Sequence, residues 1–533
     1  MVDLCNPVGT DKDKVDSFHY RHATPVANAF AEAEAKVEAE QGGAEFKLGQ
    51  VKKWSLLAVF ALGLFVDMWS YSTFFIFTAE ISEDLDVAFE SQSWVITSYT
   101  VTFAAFLLFW GRVADLYSAK PVFVFGFLAL GILNLVISFL PDKYSFFILR
   151  AVSGIAGATL IPASFRLIAA VFEPHELGKA FTLYGMSGPL ASVTGVLVAG
   201  FIEYIPLKGQ GTAWRWFFRI LAAVIIPISI GCLYWIPKPR GAIANVEGKW
   251  KRLDIIGAFL MLSAVILLIL GLTLGASFGW KKPGFLVPFL LSFVLFPAFF
   301  VWEARIPTEY ALLPPATWRI PNFTVFIVFA LFIYGWWGTN FLPFVEIYVD
   351  NHGEKPIIAA VRLLPQALSA SAVTVLLTVF PILVSRPRWP IVVGMLGSLT
   401  GFALFIGSHT QVGNDYWRYI FPGSIIGSGC TMVLFTATSV GVMTSVPAEV
   451  SGMVGAVLQV AFQVGAAVSL SIQAGLLTIN PGSISNFKNT QASWYFELGW
   501  GILWIIGFLV FYRPSKNAQN DVEEGEKKVV VAH

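Results

Sequence analysis

GRVADLYSAK, residues 111–120, sets Arg112, Asp115 and Lys120 between two apolar runs, 95–110 and 121–140. Each run approaches the ~20 residues that carry a helix across a bilayer core. A solvated connector would need only polarity. Here a Gly is followed by an Asp four residues on and a Lys nine residues on, a more specific arrangement. The stretch therefore reads as a short loop between two membrane spans.

The rest of the chain fits that reading. Hydrophobic residues make up 56% of the 533, charged residues only 13%, against about 25% charged in a soluble domain. Mean hydropathy is +0.70. Long apolar runs fall at about 54–78, 93–113, 121–140, 145–172, 178–203, 214–236, 253–273, 284–302, 322–345, 357–384, 390–408, 417–443, 450–478 and 494–512. They are continuous, which marks helices; barrel strands show a ten-residue alternation instead. The expected fold class is an all-α membrane protein with fourteen transmembrane helices.

An even number of spans places both termini on one side. Lys52, Lys53, Arg112, Lys120, Lys249, Lys251 and Arg252 fall on the side of the amino terminus. The first loop on the other side, EISEDLDVAFESQ (80–92), holds five acids and no base. The positive-inside rule then puts both ends in the cytosol. Asn322-Phe-Thr324, a glycosylation sequon, falls at an inner flank, so no glycan is expected there.

Composition also excludes functions. A net charge of +1 gives no footprint for nucleic acid. Cys5, Cys232 and Cys430 are scattered and odd in number, which argues against a disulfide framework or a zinc site. No metal or other cofactor is expected. All six histidines lie in tails or loops and no HExxH occurs, so an intramembrane enzyme lacks its nucleophile and base. No G-x4-G-K-[ST] phosphate loop occurs, so any pumping must draw on a gradient.

Several stretches resemble the major facilitator superfamily. Gly111-x3-Asp115 with Arg112 and Lys120 is similar to the family's signature loop between helices 2 and 3, with Leu116, Ser118 and Ala119 replacing the usual Arg, Gly and Arg. Arg150 with Gly154 and Gly157 matches the helix 4 motif. Gly188-Pro189 matches the core of the helix 5 motif associated with antiporters, although Ser192-Val193 replaces the Gly-Gly that usually follows. Trp214-Arg215-Trp216-Phe217-Phe218 resembles the entry to helix 6 of the fourteen-helix drug:proton antiporters, and Asp67 matches the Asp of their helix 1 motif. Fungal aminotriazole-resistance-like members look nearest.

The resemblance implies two pseudo-symmetric six-helix bundles (51–236 and 304–512) with two inserted central helices (253–303). A cytosolic loop (237–252) and disordered cytosolic tails (1–50 and 513–533) complete the chain. Weak internal similarity agrees: ILRAVSGIAGA (148–158) parallels FPGSIIGSGC (421–430), and SAKPVFVFG (118–126) parallels PRWPIVVG (387–394). The family also implies that Gly111, Arg112, Asp115 and Lys120 latch one conformation.

Charges within spans usually mark function, because burying them in hydrocarbon is costly. Asp67 lies ~20 Å into the first span at 1.5 Å per residue. It is the candidate proton-coupling residue, with Arg150 as its expected partner across a cavity. Arg362 and Arg166, near span ends, read as snorkelling to the surface. Gln459 and Gln463, four apart on one helical face, either line a path or bond a neighbouring helix. Tyr334, Trp336, Trp337 and Asn340 in YGWWGTN, like Trp69 and Tyr71, either stack an aromatic substrate or form an interface belt.

The expected function is alternating-access export of a small organic compound, a drug or secondary metabolite, in exchange for protons. The alternatives are a facilitator or proton symporter on the same fold and, more distantly, a nutrient sensor. The expected setting is a monomer in the plasma membrane, or else the vacuolar membrane, partnered by lipid, substrate and protons.

Overall fold

The structure, a computed structural model, describes residues 49–87, 92, 94–202, 209–237, 252–307, 310–446, 450–481 and 486–513. Both expected tails, apart from a few residues, and most of the 237–252 loop lie outside the described residues.

Backbone groups in hydrocarbon must be satisfied within the chain, so each apolar run closes its own hydrogen bonds as a helix. Fourteen helices are long and apolar enough to span. They are α1 (Gln50–Ser72), α2 (Trp94–Leu116), α3 (Ala119–Ile137), α4 (Lys143–Val171), α5 (His175–Ile202), α6 (Ala213–Trp235) and α7 (Ile255–Phe278). Then follow α8 (Pro283–Arg305), α9 (Phe323–Val349), α10 (Ile357–Val379), α11 (Arg388–Gly407), α12 (Tyr416–Met443), α13 (Ser451–Leu476) and α14 (Phe487–Phe511). No strand occurs among the described residues.

The internal similarity has a physical basis in glycine contacts. A Cβ on Gly154 of α4 would collide with Tyr99 and Thr102 of α2. One on Gly429 of α12 would come within 2.6 Å of Ser369 of α10. A Cβ on Gly126 of α3 would strike Thr159 of α4, and one on Gly394 of α11 would meet Cys430 and Leu434 of α12 at 3.0 Å. Small residues let helices approach closely where no hydrophobic effect drives them together. The fourth helix of each half thus leans on the second and third in the same manner.

Gly154→Leu is therefore expected to lower the thermal unfolding midpoint of the purified protein, through an overpacking cost of about 1–3 kcal/mol. Gly231→Leu is the control, because a Cβ there meets nothing within 4 Å. Equal midpoints for the two variants would count against this packing.

The inserted pair, α7 and α8, are the most apolar of the fourteen. They pack on each other, and α7 also lies against α2 of one half and α13 of the other. α7 thus lines the seam between the halves, with α8 on its outer side.

Candidate functional site

The helices alternate in direction, so Gln50, Leu116, Ser451 and Phe511 fall at one end of the bundle. There the opening loop meets the other half. Asp115, at the end of α2, accepts hydrogen bonds from Gly452 N (3.2 Å) and Met453 N (2.7 Å) at the start of α13. The first amides of a helix have no intrahelical acceptor and carry the positive end of the dipole. A carboxylate from 337 residues away satisfies them. Gly111 makes the approach possible, since a Cβ there would stand 2.8 Å from Ala456. Arg166 Nε lies 3.6 Å from Asp115 Oδ1, and Phe165 fills the space beside Gly455.

The other two residues of the expected latch act elsewhere. Lys120 donates to Leu233 O (2.8 Å) and Ile236 O (2.5 Å). It caps the end of α6 within its own half, because a cation there meets the last carbonyls of a helix. Arg112 donates from Nε to Arg252 O (3.1 Å), so it ties α2 to the inserted pair. Beside it, Asp254 accepts from Gly257 N (3.0 Å) and Trp302 Nε1 (2.9 Å). Glu303 accepts from Leu312 N (3.2 Å) and Leu313 N (3.1 Å). Arg166, expected to snorkel, is instead part of the contact between the halves.

Asp67 is 3% exposed and Arg150 1%. They form no direct ion pair, which corrects the expected pairing. Tyr99 stands between them: its hydroxyl donates to Asp67 Oδ1 (2.7 Å), and the Arg150 guanidinium lies over its ring at 4.7 Å. Phe74 and Phe218 complete an aromatic box around Arg150, at 4.2 and 5.9 Å. Nη2 donates to Ser70 O (3.0 Å), while Nε and Nη1 have no hydrogen-bond acceptor. Stacking on aromatic faces is a role that guanidinium fills better than ammonium.

Gly188 and Pro189 lie on α5, and Met68, next to Asp67, is the atom group nearest Gly188. Pro189 lacks the N–H of one helical rung. One turn earlier, a Cβ on Gly185 would come within 2.5 Å of Phe435 on α12, so the halves touch here. Across that contact, Tyr334 stacks on Phe462 (4.7 Å) and Phe435 (6.0 Å), and its hydroxyl interacts with Gln459. Asp67 acts electrostatically on both Tyr334 and Tyr184. Asp67, Tyr184, Tyr334, Phe435, Phe462 and Gln459 thus gather around the contact between the two halves. Sequence reading missed Tyr99, Tyr184, Phe435 and Phe462, whose only signal was their place next to recognised motifs or within apolar runs.

The remaining candidates divide. Tyr71 is partly buried one turn from Asp67, and Gln463 is partly buried one turn from Gln459. Trp337 donates to Ser428 Oγ (3.1 Å) and lies 6.2 Å from the Tyr334 ring. Trp69 donates to Thr194 Oγ1 (2.8 Å) and packs on Phe65 and Phe217, which places it in the packing of α1 with α5 and α6. Trp336 is fully buried against Phe402 and Phe405, with Nε1 on Ser398 O (3.2 Å). It belongs to the core of the second half and not to a cavity, because adjacent helical residues point about 100° apart. Asn340 is also fully buried and donates to Trp336 O (2.6 Å). An apolar cleft of about 450 Å³ opens between α1 and α5, lined by Trp54, Leu57, Ala61, Phe65, Leu183 and Met186.

Toward the far end, the Trp214-Arg215 stretch ties the start of α6 to the residues after α1. Glu80 accepts from Ala213 N (3.0 Å) and Trp214 N (3.2 Å), and burial pushes its carboxyl above the ordinary range. Arg215 pairs with Asp84 (3.0 Å) and donates to Leu140 O (2.8 Å). Arg362, expected to snorkel, pairs with Glu354 and stacks over Tyr348 and Tyr416. No group of three or more metal-ligating side chains occurs among the described residues.

Residues 60–255 match the profile of the Major Facilitator Superfamily. The puromycin resistance protein pur8 of Streptomyces alboniger is 29% identical over 444 residues, 81% of this chain and 83% of its own length. The multidrug transporter mfsC of Aspergillus fumigatus is 26% identical over 462 residues, 85% of this chain and 86% of its own. Among solved structures, the proton:xylose symporter XylE superposes with a TM-score of 0.60 over 88% of this chain and 98% of that one, at 13% identity. That likeness concerns the fold.

Proposed function

We propose that the chain, as a member of the major facilitator superfamily, exports a small lipophilic organic compound in exchange for protons. The observation that carries this reading is the position of Asp67. It is a buried carboxyl where the two halves meet, joined through Tyr99 to a boxed Arg150 and facing the Tyr334–Gln459 side of the other half. A proton reaching Asp67 weakens the acceptor that holds Tyr99 and so alters what Arg150 stacks upon. The aromatic lining and the apolar cleft of α1 and α5 favour a lipophilic cargo. Drug-resistance relatives that match most of the chain point the same way.

The Asp115 contact serves in this reading as the latch that keeps one side shut while the other is open. By the positive-inside rule the latch end, with Lys52, Lys53 and Lys120, faces the cytosol. The chain would act as a monomer in the plasma membrane.

The test is efflux of puromycin and ethidium from cells expressing the chain, with and without a protonophore. Efflux above the vector control is expected to fall about tenfold or more when the proton gradient is collapsed, the scale of a typical coupling between sites. Efflux of the same probes that ignores the protonophore would convert the exchanger into a facilitator.

A further inference from the structure

Glu497 sits mid-span in α14, about 15 Å from the start of the helix at 1.5 Å per residue. It is 1% exposed, and neither carboxylate oxygen makes a hydrogen bond. Ser469 of α13 is the polar side chain that bears on it. α14 packs against α9, α11 and α13. α13 carries no ionisable side chain. α9 carries Tyr334, which is turned toward Phe435 and Phe462, and Glu346 and Tyr348 near its far end. α11 carries Arg388 at its latch-end start. On α14 itself, Lys488 lies at the first turn and Tyr495 points outward, 59% exposed. Among the described residues no cation bears on Glu497. Hydrocarbon does not hold an ionised carboxylate without a counter-charge, so the resting form is the neutral acid.

A polar stripe leads to this acid from the end opposite the latch. Asn486, Asn489, Thr490, Ser493 and Glu497 recur at helical spacing on one face. Asn489 is fully buried, accepts from Asn480 Nδ2 (2.8 Å) and donates to Asn480 O (2.9 Å) and Leu477 O (2.9 Å). Gln473 Nε2 bridges Thr339 O (2.8 Å) and Ser493 Oγ (3.3 Å). Thr490 Oγ1 and Asn340 Oδ1 are buried without a partner. Fully packed helices satisfy such atoms. Together with Ser493, Thr490 extends a line of polar side chains along α14 toward the unsatisfied carboxyl.

We propose that Glu497 is a second proton-binding carboxyl, reached along the polar stripe of α14 from the end opposite the latch. This deepens the proton-exchange reading without sharing its site: Asp67 lies on α1 in the first half, Glu497 on α14 in the second.

The test is labelling of the purified full-length protein with dicyclohexylcarbodiimide at a series of pH values from about pH 5 to pH 9, read by peptide mass spectrometry. The neutral acid adds across a C=N bond, its proton passing to nitrogen and its oxygen to carbon. The adduct then rearranges to a stable N-acylurea on the side chain. Glu497 is expected to be labelled at low pH and several-fold less at high pH, in wild type and in Asp67→Asn alike. Thr490→Val is expected to slow the response to a pH jump. No label at Glu497, or a label that does not change with pH, overturns the proposal, because a proton that never leaves is a structural hydrogen. Efflux indifferent to a protonophore with pH-dependent labelling intact would instead count against the exchange reading alone.

Discussion

Asp67→Asn is expected to leave the protein folded and able to exchange substrate down its gradient, while proton-driven efflux falls roughly 5- to 150-fold. That range is the effect of a typical coupling free energy of about 1–3 kcal/mol between two sites. The amide has the shape of the neutral acid and holds it permanently. Tyr99 then loses its charged acceptor at 2.7 Å, and Arg150 rests on a ring that no longer answers to protonation. Tyr99→Phe keeps the ring and removes the hydroxyl, so it should lie between wild type and Asp67→Asn. Proteoliposomes with an imposed pH gradient, assayed for both driven efflux and downhill exchange, separate the two functions. Driven efflux in Asp67→Asn equal to wild type would remove this carboxyl from the mechanism.

Asp115→Ala is expected to unlatch the Gln50 end. Two hydrogen bonds from helix amides to an ionised carboxylate disappear, each worth about 1.5–3 kcal/mol, together with the partner of Arg166. These losses are not additive, and re-solvation at the bundle end offsets part of them. A net shift of about 2–4 kcal/mol changes the balance of the two conformations roughly 30- to 700-fold. A cysteine placed at Val440 reports it: that position is 7% exposed and 3.6 Å from the Cβ site of Gly178 on the other half. In a background without native cysteines, Val440→Cys should resist a water-soluble maleimide when Asp115 is present. It should react when Asp115 is Ala, and partly when it is Asn, which keeps one acceptor oxygen. Equal protection in all three would show that the end is held shut by packing instead.

These two sites differ in how far the amino-acid order reveals them. Asp115 was readable through the resemblance of Gly111-x3-Asp115 to a known signature loop, which implies a carboxylate that meets a helix start. Its cationic company was not readable. Lys120 and Arg112 stand in the same ten residues, yet one caps α6 and the other holds the inserted pair, while Arg166 arrives from α4. Asp67 and Arg150 were legible as charges out of place. Tyr99 was not, because a tyrosine in an apolar run carries no visible anomaly until a partner lies opposite its hydroxyl. Glu497 carries the same signal as Asp67, an acid within an apolar run, yet the sequence reading passed it over. Trp336 and Tyr334 show the converse limit, since two residues apart in chain order they serve a closed core and a central stack.

Chain order settles what the bilayer enforces locally. Span length, helical type, the small residues that let helices close and the cost of an isolated charge all act over one or two turns, so they leave periodic marks that can be counted. Which far-off amide meets Asp115, which ring parts Asp67 from Arg150 and which carboxyl lacks any counter-charge depend on contacts between helices hundreds of residues apart. Those contacts are fixed by packing geometry, and packing leaves no local mark.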